Sequence, residues 1–324
     1  MSHAVVPGPV QPADNLDRAK EDLAQYGYCI LPNALSNAQV LALRQRVEEQ
    51  MEAERQRGIG YAYGAAEAKN GTDNSSKTHN EQGLASNRWV SMLINKGQVF
   101  VDLLEHPVVD ELMEGFLGDG YLLSSYAVHI TSPCVPATPL CHTDHWLAPR
   151  AYPRNTPHRP VGNVRRGEIY VDQGEPGKLI SPPLVGNVLW FLTESNEENG
   201  GTRMLPGSHL SGEQPEADAL SSTETITVTG PAGTAVVFDG RIWHGAATNR
   251  SKNLRFGLFT TYCAGMLRQL ENYTLGTSPD VLAKASPHVL ARLGFKPWQG
   301  YGRVGYNASD FASVERDYIG ELRP

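Results

Sequence analysis

Cys141-His142-Thr143-Asp144-His145-Trp146 is the stretch on which the reading of this chain turns. In an extended strand, side chains two apart point to the same face. His142 and Asp144 therefore project side by side, an imidazole and a carboxylate set as neighbouring ligands of one metal ion. His145 points to the opposite face. The best third ligand is His244, downstream in FDGRIWHGAATNRSKNLRF (238–256). Two His and one carboxylate on one face of a metal leave the other face open, which is the ligand set of non-haem Fe(II) oxygenases.

Around that stretch the texture is β. From Tyr121 come YLLSSYAVHIT, LCHTDHW, VGNVLWFLTES, GTRMLPGS, TETITVTG, GTAVVFDG, RIWHGAAT and LRFGLFTTYC. These are short β-branched or aromatic runs broken by Gly, Pro and Asn. They imply a mainly β chain with flanking helices (α+β), built on a cupin-like jelly roll, the double-stranded β-helix, which can hold a ligand in its mouth. The expectation is one domain over 1–324, with a jelly-roll core at 121–263 and a tail at 1–14. A helical support covers 15–120 and a helical C-terminal segment 264–324. Within the support, Ser36 should cap a helix from Asn37 to about Arg57, with Val40, Leu43, Val47 and Met51 at helical spacing. Val99 to Leu117 reads as helix with a break at Pro107, and Pro279 to Leu293 as helix. The Gly-, Asn-, Ser- and Thr-rich loop 58–83 and the second long, polar loop 147–178 have the length of functional lids. Tyr61, Tyr63, Trp146 and Tyr152 are their candidate substrate-wall residues.

Of the 324 residues, 40% are hydrophobic, enough for a sizeable core, and the net charge is −7. A mildly acidic chain with no long basic run has no electrostatic reason to bind nucleic acid or an anionic membrane surface. No apolar run reaches a bilayer-spanning length of about 18–20 residues. The N-terminus lacks the basic and apolar regions of a secretory signal. The expectation is a soluble, cytoplasmic protein with a small-molecule substrate, for which a homodimer is allowed. Cys29, Cys134, Cys141 and Cys263 form no C-x-x-C pair and read as buried, reduced thiols.

H-x-D alone is a weak motif; its company strengthens it. Arg255 opens the strand after Trp243-His244-Gly245, and an antiparallel return would bring it alongside His244. A guanidinium beside the metal can grip a carboxylate with two parallel hydrogen bonds, which Lys cannot reproduce. Metal triad plus Arg implies a chelating dicarboxylate co-substrate, 2-oxoglutarate. His129, His158 and His209 are not read as ligands, and Pro206-Gly207-Ser208-His209 reads as a turn that fixes barrel geometry.

With HTDHW, LWFLTESNEENGGTRMLPGSH (189–209) and WHGAATNRSKNLR (243–255) in order, the chain resembles the phytanoyl-CoA dioxygenase-type Fe(II)/2-oxoglutarate oxygenases over about 121–262. The resemblance implies that His142, Asp144 and His244 hold Fe(II) as the catalytic centre. It implies that Arg255 binds the distal carboxylate of 2-oxoglutarate, and that Trp190 lies against that co-substrate. Some members carry a hydroxyl residue where this chain has Ala246. Some use a Lys before the first barrel strand; here Arg88, Ser91, Asn95 and Lys96 compete for the role. The implied reaction consumes 2-oxoglutarate and O2, releases succinate and CO2, and hydroxylates an unactivated C–H of a small or medium organic metabolite. Desaturation, epoxidation or rearrangement by the same iron chemistry is the rival outcome. A cupin-like metal- or ligand-binding protein without turnover is the rival of another class.

Overall fold

The computed structural model describes residues 10–63, 87–133, 144, 182–211, 215, 219, 224–304 and 311. Helix α1 spans Leu16–Tyr26, with the Asn15 side chain accepting from the Arg18 N–H. It stops at Gly27, whose φ of 82° is left-handed and where a Cβ would meet the His209 ring at 2.6 Å. Strand β1 is Tyr28–Leu31. Helix α2 runs Asn37–Gln56 behind a capping box in which Ser36 and Gln39 satisfy each other's backbone N–H. Its buried Val40, Leu43 and Val47 lie at helical spacing. Then come β2 (Tyr61–Tyr63), β3 (Asn87–Val90), α3 (Gln98–Leu103) and α4 (Pro107–Leu117). Pro107 sits at the first turn of α4, where its missing N–H costs nothing.

The remaining strands are β4 (Leu122–Thr131), β5 (Val185–Phe191), β6 (Thr202–Leu205), β7 (Ile226–Thr227), β8 (Ala235–Asp239), β9 (Trp243–Ala246) and β10 (Arg255–Cys263). Short helices α5 (Tyr273–Gly276), α6 (Pro279–Leu282) and α7 (Pro287–Arg292) close the described chain. Among the described residues the strands form two antiparallel sheets. The larger has the order β1-β8-β5-β10-β4-β3-β2 and the smaller β7-β6-β9. This is a jelly roll with helices on one side.

Two apolar cores follow from the two faces of the large sheet. Cys29, Val128, Val188, Trp190, Val237 and Leu258 face the helices. Tyr28, Ile30, Leu189, Phe191, Val236 and Phe238 face the small sheet and meet Met204, Val228 and Ile242. Burial pushes the Cys29 thiol up to about 12 and the Cys263 thiol up to about 11, so both are inert. Cys134 and Cys141 lie outside the described residues.

The structure departs from the sequence expectations in four places. Tyr61–Tyr63, expected within a loop, is an edge strand paired with β3 in the register Tyr61↔Trp89. The segment before Tyr121, expected as helical support with one short strand at 27–32, lends β2 and β3 as well as that strand, β1, to the large sheet. The helix expected over Pro279–Leu293 is two short ones, because Pro287 starts a new helix behind the Ser286 cap. Finally, β9 and β10 do not pair with each other; β9 joins β6 in the small sheet and β10 lies between β5 and β4 in the large one. The rest of loop 58–83 from residue 64 on, and all of 147–178, lie outside the described residues. No helix of the described residues is long and apolar enough to cross a membrane.

Candidate metal centre between the two sheets

His244 sits on β9, whose start is fixed by the Pro206-Gly207-Ser208-His209 turn. The Ser208 hydroxyl accepts from the Trp243 N–H at 2.8 Å and donates to the Leu205 carbonyl at 2.6 Å. Gly207 is left-handed at φ 79° and its N–H donates to the Tyr26 carbonyl. The adjoining Asp239-Gly240-Arg241 turn is held by the Asp239 carboxylate, which accepts from the Arg241 N–H at 2.8 Å and from its guanidinium. The Gly240 carbonyl in that turn accepts the Asp144 N–H at 2.8 Å, and this ties the residue carrying the carboxylate to the end of β8.

The His244 ring is buried, edge-on to Phe238 at 5.1 Å. Its Nδ1 lies 3.0 Å from the Ile242 carbonyl. A carbonyl only accepts, so Nδ1 carries the hydrogen, and in the neutral ring Nε2 carries the lone pair. Nε2 lies 3.4 Å from Asp144 Oδ2. Burial pulls the imidazole pKa down, but the charge and hydrogen bonding of Asp144 outweigh it and hold the ring above its ordinary value. A carboxylate and an imidazole lone pair turned on one another at this separation need a proton or a cation between them. The donor set fits a divalent transition metal, with a carbonyl fixing the tautomer from behind.

Asp144 is held from the large sheet. Asn187 Nδ2 on β5 donates to Asp144 Oδ2 at 3.0 Å, and the Thr261 hydroxyl on β10 donates to Asn187 Oδ1 at 2.7 Å. The carboxylate is acceptor-only, so the amide nitrogen must face it and the amide oxygen must face Thr261. Asn187 is completely buried. Sequence reasoning missed this pair. The available signal was a polar residue inside the apolar run VGNVLWF.

Arg255 is buried at the start of β10, opposite Thr131 on β4, whose hydroxyl accepts from Nη2 at 3.0 Å. A Cβ placed on Gly257 would lie 3.4 Å from Arg255 Nη1 and 3.0 Å from Leu189, a member of the inter-sheet core. Arg255 thus points to the interior face of the large sheet, the face that carries Asn187. His244 is on the other sheet, so the two belong to different sheets rather than to one hairpin.

Trp190 is not brought to this group. It lies on the helix-facing side, donates its indole N–H to the Thr260 hydroxyl at 2.8 Å and packs edge-on against His106. Alternation is the reason: Asn187, Leu189 and Phe191 face inward, so Val188 and Trp190 face out. Three of the competitors upstream of the barrel also engage groups elsewhere. Asn95 binds the Gly276 carbonyl, Lys96 pairs with Glu54, and the charge of Arg88 bears on Glu52 of α2. His142, His145, Trp146, Tyr152 and His158 lie outside the described residues, which therefore hold two of the three expected ligands.

Comparison with known proteins agrees with this architecture. The chain is 30% identical to Dioxygenase trt7 of Aspergillus terreus over 187 residues, 54% of this chain and 56% of that one. It spans about half the length of the curated relatives it matches. Two solved structures share the fold. The non-heme alpha ketoglutarate dependent epimerase SnoN has a TM-score of 0.52 and 17% identity, covering 84% of this chain and 94% of that one. The carbocyclase SnoK has a TM-score of 0.52 and 18% identity, covering 87% and 95%. The sequence model of the phytanoyl-CoA dioxygenase family matches residues 23–257. With most of its length inside that match, the chain belongs to the phytanoyl-CoA dioxygenase (PhyH) family.

Proposed function

We propose that this chain is an Fe(II)- and 2-oxoglutarate-dependent dioxygenase that hydroxylates an unactivated C–H of a small or medium organic metabolite. The observation that carries it is the convergence of the Asp144 carboxylate and the His244 Nε2 lone pair between the sheets. Asp144, His244 and His142 would hold the metal. Bound Fe(II), with 2-oxoglutarate and O2, supplies the oxidising power and leaves succinate and CO2.

The chain's own residues do the placing. The Ile242 carbonyl keeps His244 in the tautomer that offers Nε2. Asn187 and Thr261 fix the orientation of the Asp144 carboxylate. Arg255, braced by Thr131, supplies a fork suited to the distal carboxylate of the co-substrate. The apolar floor of Leu189, Phe191 and Phe238 keeps water from the reacting carbon. Structural neighbours described as an epimerase and a carbocyclase support a second reading, in which the same centre ends in rearrangement rather than hydroxylation.

The test is succinate release from 2-oxoglutarate by the purified chain with Fe(II) and ascorbate, before any substrate is known. Succinate should form in wild type. His244→Ala should form none and should lose its iron in competition with a chelator. Stoichiometric iron in His244→Ala would remove the assignment. Iron binding without succinate in wild type would favour a non-catalytic binding protein.

A further inference from the structure

On the interior face of the large sheet, aromatic rings cross four adjacent strands. Tyr61 on β2 lies opposite Trp89 on β3, Trp89 opposite His129 on β4, and Phe259 on β10 lies diagonal to His129. Trp89 and His129 stack with centroids 4.4 Å apart and planes 2° apart. His129 and Phe259 are 4.4 Å apart at 31°, and Tyr61 and Trp89 are 5.7 Å apart at 46°.

A ring spacing close to the strand spacing of about 4.8 Å, with planes nearly parallel, means that the Trp89 and His129 rings stand upright on neighbouring strands. Their faces are turned to each other and their edges point off the sheet. The row is not core: Tyr61 is 42% and Trp89 36% exposed, and His129 and Phe259 are half-buried. It is continuous with the candidate centre. The Cβ position of Gly257 is 3.8 Å from Phe259 and 3.4 Å from Arg255, so guanidinium, glycine and phenyl ring follow one another along β10.

Charge narrows the occupant. Among the described residues, Arg255 brings the guanidinium or ammonium charge to this face, while Arg88 and Lys96 engage the acids of α2. Among the described residues a phosphate-bearing thioester finds no further cation on this face. The row offers ring edges, whose hydrogens are the positive part of the aromatic quadrupole, and these favour the negative face of a π system.

We propose that Trp89, His129 and Phe259 form the substrate wall and select a neutral, planar unsaturated ring system, laid with its face across their edges and its oxidisable carbon toward Asp144 and His244. The proposal rests on the dioxygenase reading for the identity of the centre, but its test does not need iron. Binding of β-naphthylmethanol and of its fully hydrogenated counterpart, decalinylmethanol, is measured on the full chain by ligand-observed NMR without added metal. The two probes match in carbon skeleton and hydroxyl and differ in planarity.

Wild type should bind the naphthyl probe about tenfold more tightly, the equivalent of two or three edge-to-face contacts. Trp89→Leu should abolish that ratio, Phe259→Leu should reduce it, and Trp89→Phe should keep most of it. Circular dichroism checks that each variant folds, and Phe259→Leu carries the test if Trp89→Leu does not. Equal affinities in wild type, or a ratio that survives both leucine variants, would overturn the proposal. A chain that fails the succinate assay but keeps the ratio would refute the dioxygenase reading and leave the wall intact.

Discussion

Asn187 bears on the geometry of the proposed centre without being one of its ligands. It is buried among apolar neighbours, and its cost of burial is offset by two hydrogen bonds, one to Asp144 and one from Thr261. Replacing it by Ala leaves the carboxylate free to turn and the Thr261 hydroxyl unpaired. We expect Asn187→Ala to weaken Fe(II) binding by about 10–100-fold, the usual effect of losing a group that orients a ligand. Thr261→Ser should retain near-native affinity, because the hydroxyl remains. Chelator competition reads both, and native affinity in Asn187→Ala would show that Asp144 orients itself. The proposed ligands were legible in the sequence because H-x-D and W-H-G have a period and a context. Asn187, Thr131 and Thr261 were not, because a buried polar residue in a strand becomes meaningful only when its cross-strand partner is known.

At the scale of elements, Trp190 shows where strand reading fails. β5 is buried along its whole length, so the inward and outward residues of Val185–Phe191 are equally apolar and alternation leaves no trace. Only pairing with Leu258 and Ala235 reveals that the indole faces the helices. Its role is then packing. Trp190→Phe should lower unfolding stability by about 1–3 kcal/mol through lost volume and the lost bond to Thr260, while the 2-oxoglutarate KM stays within about twofold. A large rise in KM with unchanged denaturation midpoint would return the indole to the co-substrate. Helices α2 and α4 were readable because capping and proline signals are local. The strand Tyr61–Tyr63 was not, because three residues in a Gly- and Ala-rich stretch carry no periodicity, and their strand character comes from β3.

At the scale of the molecule, the C-terminal segment is locked to the barrel by a charged cluster. Arg292 of α7 is buried over the Tyr121 ring at 3.5 Å, donates to the Tyr121 carbonyl at 3.2 Å and reaches Asp110 and Glu114 of α4 at 3.3 Å. His288 meets Asp110 at 3.1 Å, and the Tyr121 hydroxyl donates to it as well. Burial opposes ionisation of Asp110, yet the hydrogen bonds from His288 and Tyr121 and the charges of His288 and Arg292 hold it below its ordinary 3.8. A depressed carboxylate contributes stability that is fully present above 3.8 and is lost as pH falls through the lower folded value. Asp110→Asn should therefore be less stable than wild type at neutral pH, with the difference shrinking on the acid side of 3.8; denaturant melts across that range read it. Parallel curves would mean that the cluster stabilises by shape alone.

The pairing of β1 with β8 has a consequence for how the protein is made. Tyr28–Leu31 finds its only described strand neighbour in Ala235–Phe238, about 200 residues later, so this contact is among the most distant in sequence and the slowest to close. During synthesis the first strand emerges long before its partner exists. The nascent chain must carry an unmatched apolar ribbon, Tyr-Cys-Ile-Leu, past the translation of nearly the whole barrel. Yield in a heterologous host should accordingly depend on chaperone supply and on slow translation at low temperature more than on the stability of the finished molecule.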